Sequence, residues 1–240
     1  MKARMLVAAT LLALAQGALA QDLDAVKAKF AARFPAVAPI EAIAKSPLPG
    51  LFEIFAQGRI VYADAEVKYI LDGSLIDLEA RTNLTQERLG KLTAVAFNDL
   101  PLEHAVKIVR GKGTRKIAVF EDPNCGYCKR FEQELAKVDD ITVYVFLYPI
   151  LAAESREKSE AVWCAPDRAK AWVDLMTKNI TPAAKKCSTP IDKIIAFGRQ
   201  KAINGTPAII FADGSRVPGM LTADKIEERL KLAANGGGKK

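Results

Sequence analysis

Apolar residues recur at helical spacing over residues 22–34 (DLDAVKAKFAARF), where Leu23, Val26, Phe30 and Phe34 share a face and Pro35 ends the run. The pattern then changes to short β-like runs at 39–44, 51–56 and 59–63, with a turn at Gln57-Gly58. Runs at 66–71 and 74–79 flank Asp72-Gly73, the dipeptide favoured by a type I′ hairpin because both central residues need positive φ. Residues 21–80 therefore read as a small α+β unit of meandering strands. A unit of that size buries little core alone, so pairing with a second copy would help it.

A helical pattern returns at 85–96, with Thr85 as its expected N-cap, and Asn98-Asp99-Leu100-Pro101 interrupts it. Gly111-Lys112-Gly113 marks a further break, so residues 81–110 read as a helical linker between two domains. Beyond it, over 111–234, strand and helix alternate in the manner of an α/β fold. A β-rich run at 115–121 is followed by a helix over 126–137. The near-continuous apolar strand at 141–148 (ITVYVFLY) suits the centre of a sheet covered on both faces. Helices are expected at 154–178 and 190–203. Strands follow at 207–211 and 216–218, joined by Asp213-Gly214, and a last helix at 223–232. The glycine-rich 235–240 reads as a frayed tail, and no internal repeat is visible.

Composition narrows the setting. Half of the 240 residues are hydrophobic and 26% charged, a balance that favours a packed core over disorder. The first twenty residues stand apart from that core. Lys2 and Arg4 precede an apolar run from Met5 to Ala15, and Ala18-Leu19-Ala20 closes it, the order of a secretory signal cleaved before Gln21. A membrane anchor needs roughly twenty unbroken apolar residues, and this run is shorter. The chain is therefore expected to be exported and soluble. Removing Lys2 and Arg4 lowers the formal charge from +7 to +5. The remaining Lys and Arg are scattered among Glu and Asp with no aromatic interleaving, so the charge reads as solvation and nucleic acid is not an expected partner.

Four cysteines in an exported chain form an even set where disulfides persist. Three connectivities are open to them. The C-x-x-C spacing groups Cys125 with Cys128 and leaves Cys164 for Cys187. The segment Phe120–Cys128 runs from a strand into a helix. At a helix start the Cys125 sulfur meets unpaired N–H groups and the positive end of the helix dipole, which favour thiolate over thiol. Cys125 is thus the expected nucleophile. Cys128, inside the first turn and more buried, is the expected resolving thiol that releases a trapped substrate. Asp122 is a candidate proton acceptor, or simply a solvated carboxylate.

A zinc site would need four N or S ligands, but His104 is the sole histidine and the other two cysteines lie apart, so no metal is expected. Cys164 and Cys187 sit in polar helix-and-loop context and read as a structural disulfide rather than a second redox pair. Their loop of about 24 residues corresponds to ~3–4 kcal/mol of stabilisation in the chain-entropy picture. Pro207 opens a strand, where a proline can be cis or an ordinary trans edge residue.

Cys125-Gly126-Tyr127-Cys128, Ala161-Val162-Trp163-Cys164-Ala165, Asn204-Gly205-Thr206-Pro207-Ala208 and Val217-Pro218-Gly219 occur together and in order. On these motifs the chain resembles, over the whole mature length, the bacterial periplasmic disulfide isomerases of the DsbC/DsbG family. The resemblance implies a V-shaped homodimer. Its parts would be a cystatin-like N-terminal dimerisation domain (21–80), a linker helix, and a thioredoxin-like catalytic domain with a helical insertion. It implies a cis bond before Pro207, and places Gly126, Tyr127, Thr206 and Pro207 at the substrate. The expected partners are misfolded disulfide-containing exported proteins held in an apolar cleft, with chaperone activity, and a membrane reductase of the DsbD type. No cofactor beyond the cysteine pair is expected. Two other readings stand beside the isomerase. One is a DsbG-like holdase and reductase protecting single cysteines; the other is a non-enzymatic chaperone. Gly126 and the pair Cys164/Cys187 favour the isomerase.

Overall fold

The computed structural model describes residues 22–37, 39–183 and 186–236; the expected signal segment and the end of the glycine-rich tail lie outside the described residues. The chain divides into two compact units between Leu89 and Gly90.

In the first unit a helix, α1 (22–33), is followed by strands β1 (Ile40–Lys45), β2 (Leu51–Ala56), β3 (Arg59–Asp64) and β4 (Ile70–Leu71) in an antiparallel sheet of that order. Val26 and Phe30 of α1 are buried in one cluster with Ile40, Phe52, Ile54, Ala63 and Val67, so the helical period of 22–34 meets the alternating faces of the strands. The β2–β3 register brings Ala56 opposite Arg59 and leaves a two-residue turn in which Gln57 (φ 50°) and Gly58 (φ 73°) are both left-handed. That is the geometry a right-twisted hairpin requires.

Asp72-Gly73 does not close a hairpin. The Asp64 carboxylate accepts the N–H groups of Glu66 and Tyr69 at 3.2 and 2.7 Å, folding 64–69 into a loop off the sheet. Only Ile70–Leu71 remains to pair with β3, and Asp72 is held by Arg59 at 2.8 Å. β5 (Ile76–Asp77) pairs instead with β6 (Thr82–Asn83). The next helix, α2, covers Leu84–Leu92. Thr85 lies within α2 and does not precede it; its hydroxyl bonds Tyr62 Oη at 2.6 Å and accepts the Leu75 N–H at 2.8 Å.

The expected helical linker over 81–110 is helical only in α2 and in two short turns. Val106–Arg110 is a strand, β7, paired antiparallel with β9 (Ile141–Leu147). Its alternation, with Val106 and Ile108 buried and Lys107 and Val109 outward, has period two, but the run is five residues long and the apolar Val109 on the outer face blurs it. The second unit is a five-stranded sheet in the order β11 (Arg216–Pro218), β10 (Ala208–Phe211), β8 (Arg115–Glu121), β9, β7. β8 and β9 are parallel and joined by helix α3 (Gly126–Leu135); the other pairs are antiparallel. Helices α4 (Ala153–Trp163), α5 (Arg168–Lys178) and α6 (Ile191–Gln200) are inserted between β9 and β10, and α7 (Ala223–Gly236) ends the unit. α5 packs on β7 and α3, α6 on β9, and α7 on β8 and β10, so the central strands are covered. Six of the seven residues of β9 are buried, as its near-continuous apolar run requires.

Candidate active site

The end of β8 and the start of α3 form the site. Cys125 is the N-cap of α3, in extended conformation (φ −74°, ψ 115°), and its sulfur accepts the N–H of Cys128 at 3.3 Å. A sulfur here fills the place that a Ser or Asp oxygen usually takes, and it faces the positive end of the helix. The loop before it is fastened by Asp122. That carboxylate accepts the N–H groups of Asn124, Ile150 and Leu151 at 2.8, 2.8 and 2.9 Å, and the Ser155 hydroxyl at 2.7 Å. Four donors on one buried carboxylate make it an anchor of the loop. The notion of Asp122 as proton acceptor gives way, because its lone pairs are already engaged. Asn124 joins the same network, donating to Ser155 Oγ at 3.0 Å and accepting from Lys158 Nζ at 2.6 Å.

Cys125 is nearly enclosed, 5% exposed, and Cys128 is fully buried; both are free thiols. The Cys125 thiol donates to the Thr206 carbonyl at 3.4 Å. The Thr206–Pro207 peptide is cis, and Pro207 O accepts the Gly219 N–H at 2.8 Å. The structure thus brings Cys125, Cys128, Thr206 and Pro207 together from segments eighty residues apart. Gly126 and Tyr127 are exposed beside them, the Tyr127 ring under the Arg130 guanidinium at 4.9 Å. Cys164 and Cys187 are joined by a disulfide that ties the end of α4 to the segment before α6, with Cα atoms 5.7 Å apart. Among the described residues no group of three or more His, Cys, Asp and Glu side chains is placed to hold a metal ion.

Burial pushes the Cys128 thiol far above the ordinary range, and a nearby carboxyl, Glu121, pushes it further. Glu121 is the last residue of β8 and is fully buried; neither of its oxygens has a hydrogen-bond partner. Its acidity is held well above the usual carboxylate range by desolvation first and then by the facing Glu132 carboxyl. Glu132 is also fully buried, accepts the Trp172 indole N–H at 2.9 Å, and lies 3.8 Å from the Arg110 guanidinium. The reading of the sequence did not single out these two carboxyls. The signals were a Glu ending an otherwise apolar strand run, and a Glu four residues after Cys128, on the same face of α3.

Comparison with known proteins agrees with this geometry. Residues 17–86 match the disulfide bond isomerase protein N-terminal domain, and residues 102–234 match the thioredoxin-like domain. The "Probable thiol:disulfide interchange protein DsbC" of Bordetella pertussis is 47% identical over 207 residues, which are 86% of this chain and 74% of that one. The thiol:disulfide interchange protein DsbC of Escherichia coli K12 is 31% identical over 196 residues, 78% of this chain and 80% of its own. A crystal structure of a disulfide interchange protein from Neisseria gonorrhoeae superposes with a TM-score of 0.55 at 40% identity, covering 56% of this chain and 98% of that one. With an N-terminal antiparallel sheet domain, a thioredoxin-like domain and a C-x-x-C pair at its helix start, the chain belongs to the DsbC family of thiol:disulfide interchange proteins, which are disulfide isomerases.

Proposed function

We propose that Cys125 attacks non-native disulfides of exported proteins and that Cys128 resolves the resulting mixed disulfide. The observation that carries this division of labour is the position of the two sulfurs. Cys125 Sγ caps α3 and reaches the Thr206 carbonyl at 3.4 Å, while Cys128 is sealed one turn inside. An attacking thiolate gains from a helix N-terminus, and a resolving thiol must meet only the sulfur beside it. The backbone of Thr206-Pro207, with Gly126 and Tyr127, seats an extended client segment next to Cys125. Cys164–Cys187 serves as a structural disulfide. The activity is placed in the periplasm, after cleavage before Gln21, with a membrane reductase returning Cys125 and Cys128 to dithiols.

The protein is further inferred to work as a homodimer paired through its first unit. There Tyr69, Ile70, Leu71, Ile76 and Leu78 expose apolar side chains, Leu78 at 85% and Tyr69 at 67%. Ile70–Leu71 forms a sheet edge, an arrangement proteins usually cover. With two catalytic domains per client, a freed client thiol can attack another client sulfur before Cys128 intervenes, which is isomerisation rather than net reduction.

The test is refolding of scrambled ribonuclease in a mildly reducing glutathione buffer. The wild type restores ribonuclease activity, Cys125→Ser restores none, and Cys128→Ser accumulates mixed disulfides with the client. Rapid reduction of a simple disulfide without recovery of ribonuclease would instead mark a reductase or protector of single cysteines.

A further inference from the structure

We propose that Tyr148 is a positioning residue for the exchange reaction: its hydroxyl fixes the approach to the Thr206-Pro207 loop and so sets the client's seat against Cys125. The inference rests on the reading of that loop as the place where an extended client segment pairs.

The loop has two ends, and different forces hold them. Beyond Pro207 the chain enters β10, where Ala208 lies between Phe120 of β8 and Pro218 of β11. The Pro207 carbonyl accepts the Gly219 N–H at 2.8 Å, so sheet pairing holds that end. The approach to Thr206 comes from a helix instead. α6 stops at Gln200, and the N–H groups of Ala202 and Ile203 turn back to the carbonyls of Arg199 and Gly198 at 3.0 and 2.8 Å. This is a Schellman stop, with Ala202 in the left-handed region (φ 50°) where glycine is usual. The carbonyls of Lys201, Ala202 and Ile203 are then taken by side chains. Arg216 donates to the first two at 2.6 and 3.3 Å, and Tyr148 to the third at 2.9 Å. Asn204 and Gly205, both exposed, separate Ile203 from Thr206. The Tyr148 bond therefore lies three residues from the carbonyl that receives the Cys125 thiol at 3.4 Å.

Tyr148 is tied to the other side of the site as well. Its backbone N–H donates to the Glu121 carbonyl at 2.7 Å, four residues before Cys125, and its ring stands edge-on to Phe120 with centroids 5.6 Å apart. One rigid side chain thus spans from the strand end that launches Cys125 to the segment that delivers Thr206. α6 leaves room for it. A Cβ at Gly198 would lie 2.5–2.7 Å from the ring and hydroxyl, so the phenol passes the helix where no side chain stands. Tyr148 is buried, and a phenylalanine would fill the same space while leaving the Ile203 carbonyl without this donor.

A client that pairs with the Thr206 backbone needs that backbone at one distance from Cys125. A loop that holds the seating geometry for only part of the time weakens binding by that fraction. The sulfur exchange itself, made by Cys125 at the cap of α3, does not involve the hydroxyl. Its loss should weaken the hold on clients that have a backbone to pair and spare the attack on small disulfides.

The probe is a short peptide whose single cysteine carries nitrothiobenzoate as a mixed disulfide. The Cys125 thiolate attacks the peptide sulfur. The Cys125–peptide bond forms, the peptide–nitrothiobenzoate bond breaks, and the coloured thiolate leaves with the electron pair. The rate is followed by stopped flow against peptide concentration. In Tyr148→Phe the half-saturating concentration is expected to rise about fivefold with the limiting rate within about twofold of wild type, as for a seat formed about one-fifth of the time. Dithiobis-nitrobenzoate, which has no peptide backbone, should react at the wild-type rate. Thr142→Val controls for stability, because it removes a comparable hydroxyl-to-carbonyl bond, 2.8 Å to Gly113, at the far end of β9. It should leave half-saturation unchanged. An unchanged half-saturation in Tyr148→Phe, or an equal rise in Thr142→Val, would overturn the proposal. Failure of the underlying reading looks different: the wild type would then bind a peptide methylated at the backbone nitrogens beside its cysteine as well as the unmethylated one.

Discussion

Asp122 and Glu121 are neighbours at the end of β8, yet their surroundings oppose each other. Asp122 collects four donors, whereas Glu121 collects none. Strand alternation explains the contrast, because successive side chains point to opposite faces. One side chain meets the turn after β9 and the first turn of α4; the other meets α3. A consequence for stability follows from the raised acidity of Glu121. In the unfolded chain its carboxyl ionises near 4.5, and in the folded protein only at higher pH. The native state therefore binds more protons than the unfolded state across that interval. The stabilising contribution is complete below the unfolded value and is lost as pH rises through the folded one. Denaturant midpoints measured from pH 4 to pH 9 are expected to fall for the wild type and to fall less for Glu121→Gln. The variant should exceed the wild type at the alkaline end, since a neutral amide replaces a buried charge.

At the scale of elements, the contact of α6 with the strand end after β9 sets a tighter limit than helix propensity does. Gly198 lies in the last turn of α6, where alanine would ordinarily be favoured by up to about 1 kcal/mol. A Cβ there would sit 2.5–2.7 Å from the ring and hydroxyl of Tyr148. Tyr148 cannot swing aside, because it is buried and donates to the Ile203 carbonyl at 2.9 Å. Overpacking of this kind costs about 1–3 kcal/mol, enough to outweigh the gain in propensity. Gly198→Ala is expected to lower the melting temperature by several degrees in calorimetry while leaving the reduction of a simple disulfide unchanged at 25 °C. In the same way the hairpin of the first unit closes at Gln57-Gly58 and not at Asp72-Gly73. The backbone bonds to Asp64 outweigh the preference of a dipeptide.

For the molecule as a whole, the exposed apolar residues between Tyr69 and Leu78 bear on assembly. Burying one such side chain is worth about 1.5–3 kcal/mol, so replacing two of them with charges should weaken a dimer by at least about 100-fold. Leu71→Glu with Leu78→Glu is expected to convert a dimer to a monomer in sedimentation velocity. The variant should still reduce a simple disulfide yet lose most of its recovery of scrambled ribonuclease. A variant that stays dimeric would move the pairing surface elsewhere.

What the amino-acid order determined by itself was local. The C-x-x-C spacing places one sulfur at a helix cap and the other a turn inside, because three residues span the cap and the first turn. The apolar run at 141–147 reads as a central strand because no polar residue interrupts it beyond Thr142 and Tyr144. The isomerase resemblance was legible in four short motifs. The tertiary structure decided whatever depends on distant segments. Val106–Arg110 is a strand only because β9 offers it an edge. Glu121 is a buried, donorless carboxyl only because α3 lies against it. Glu132, in turn, is held from its far side by Trp172 and Arg110, forty and twenty-two residues away. Burial and electrostatic coupling are set by what packs around a side chain, and residue spacing along the chain does not carry that information.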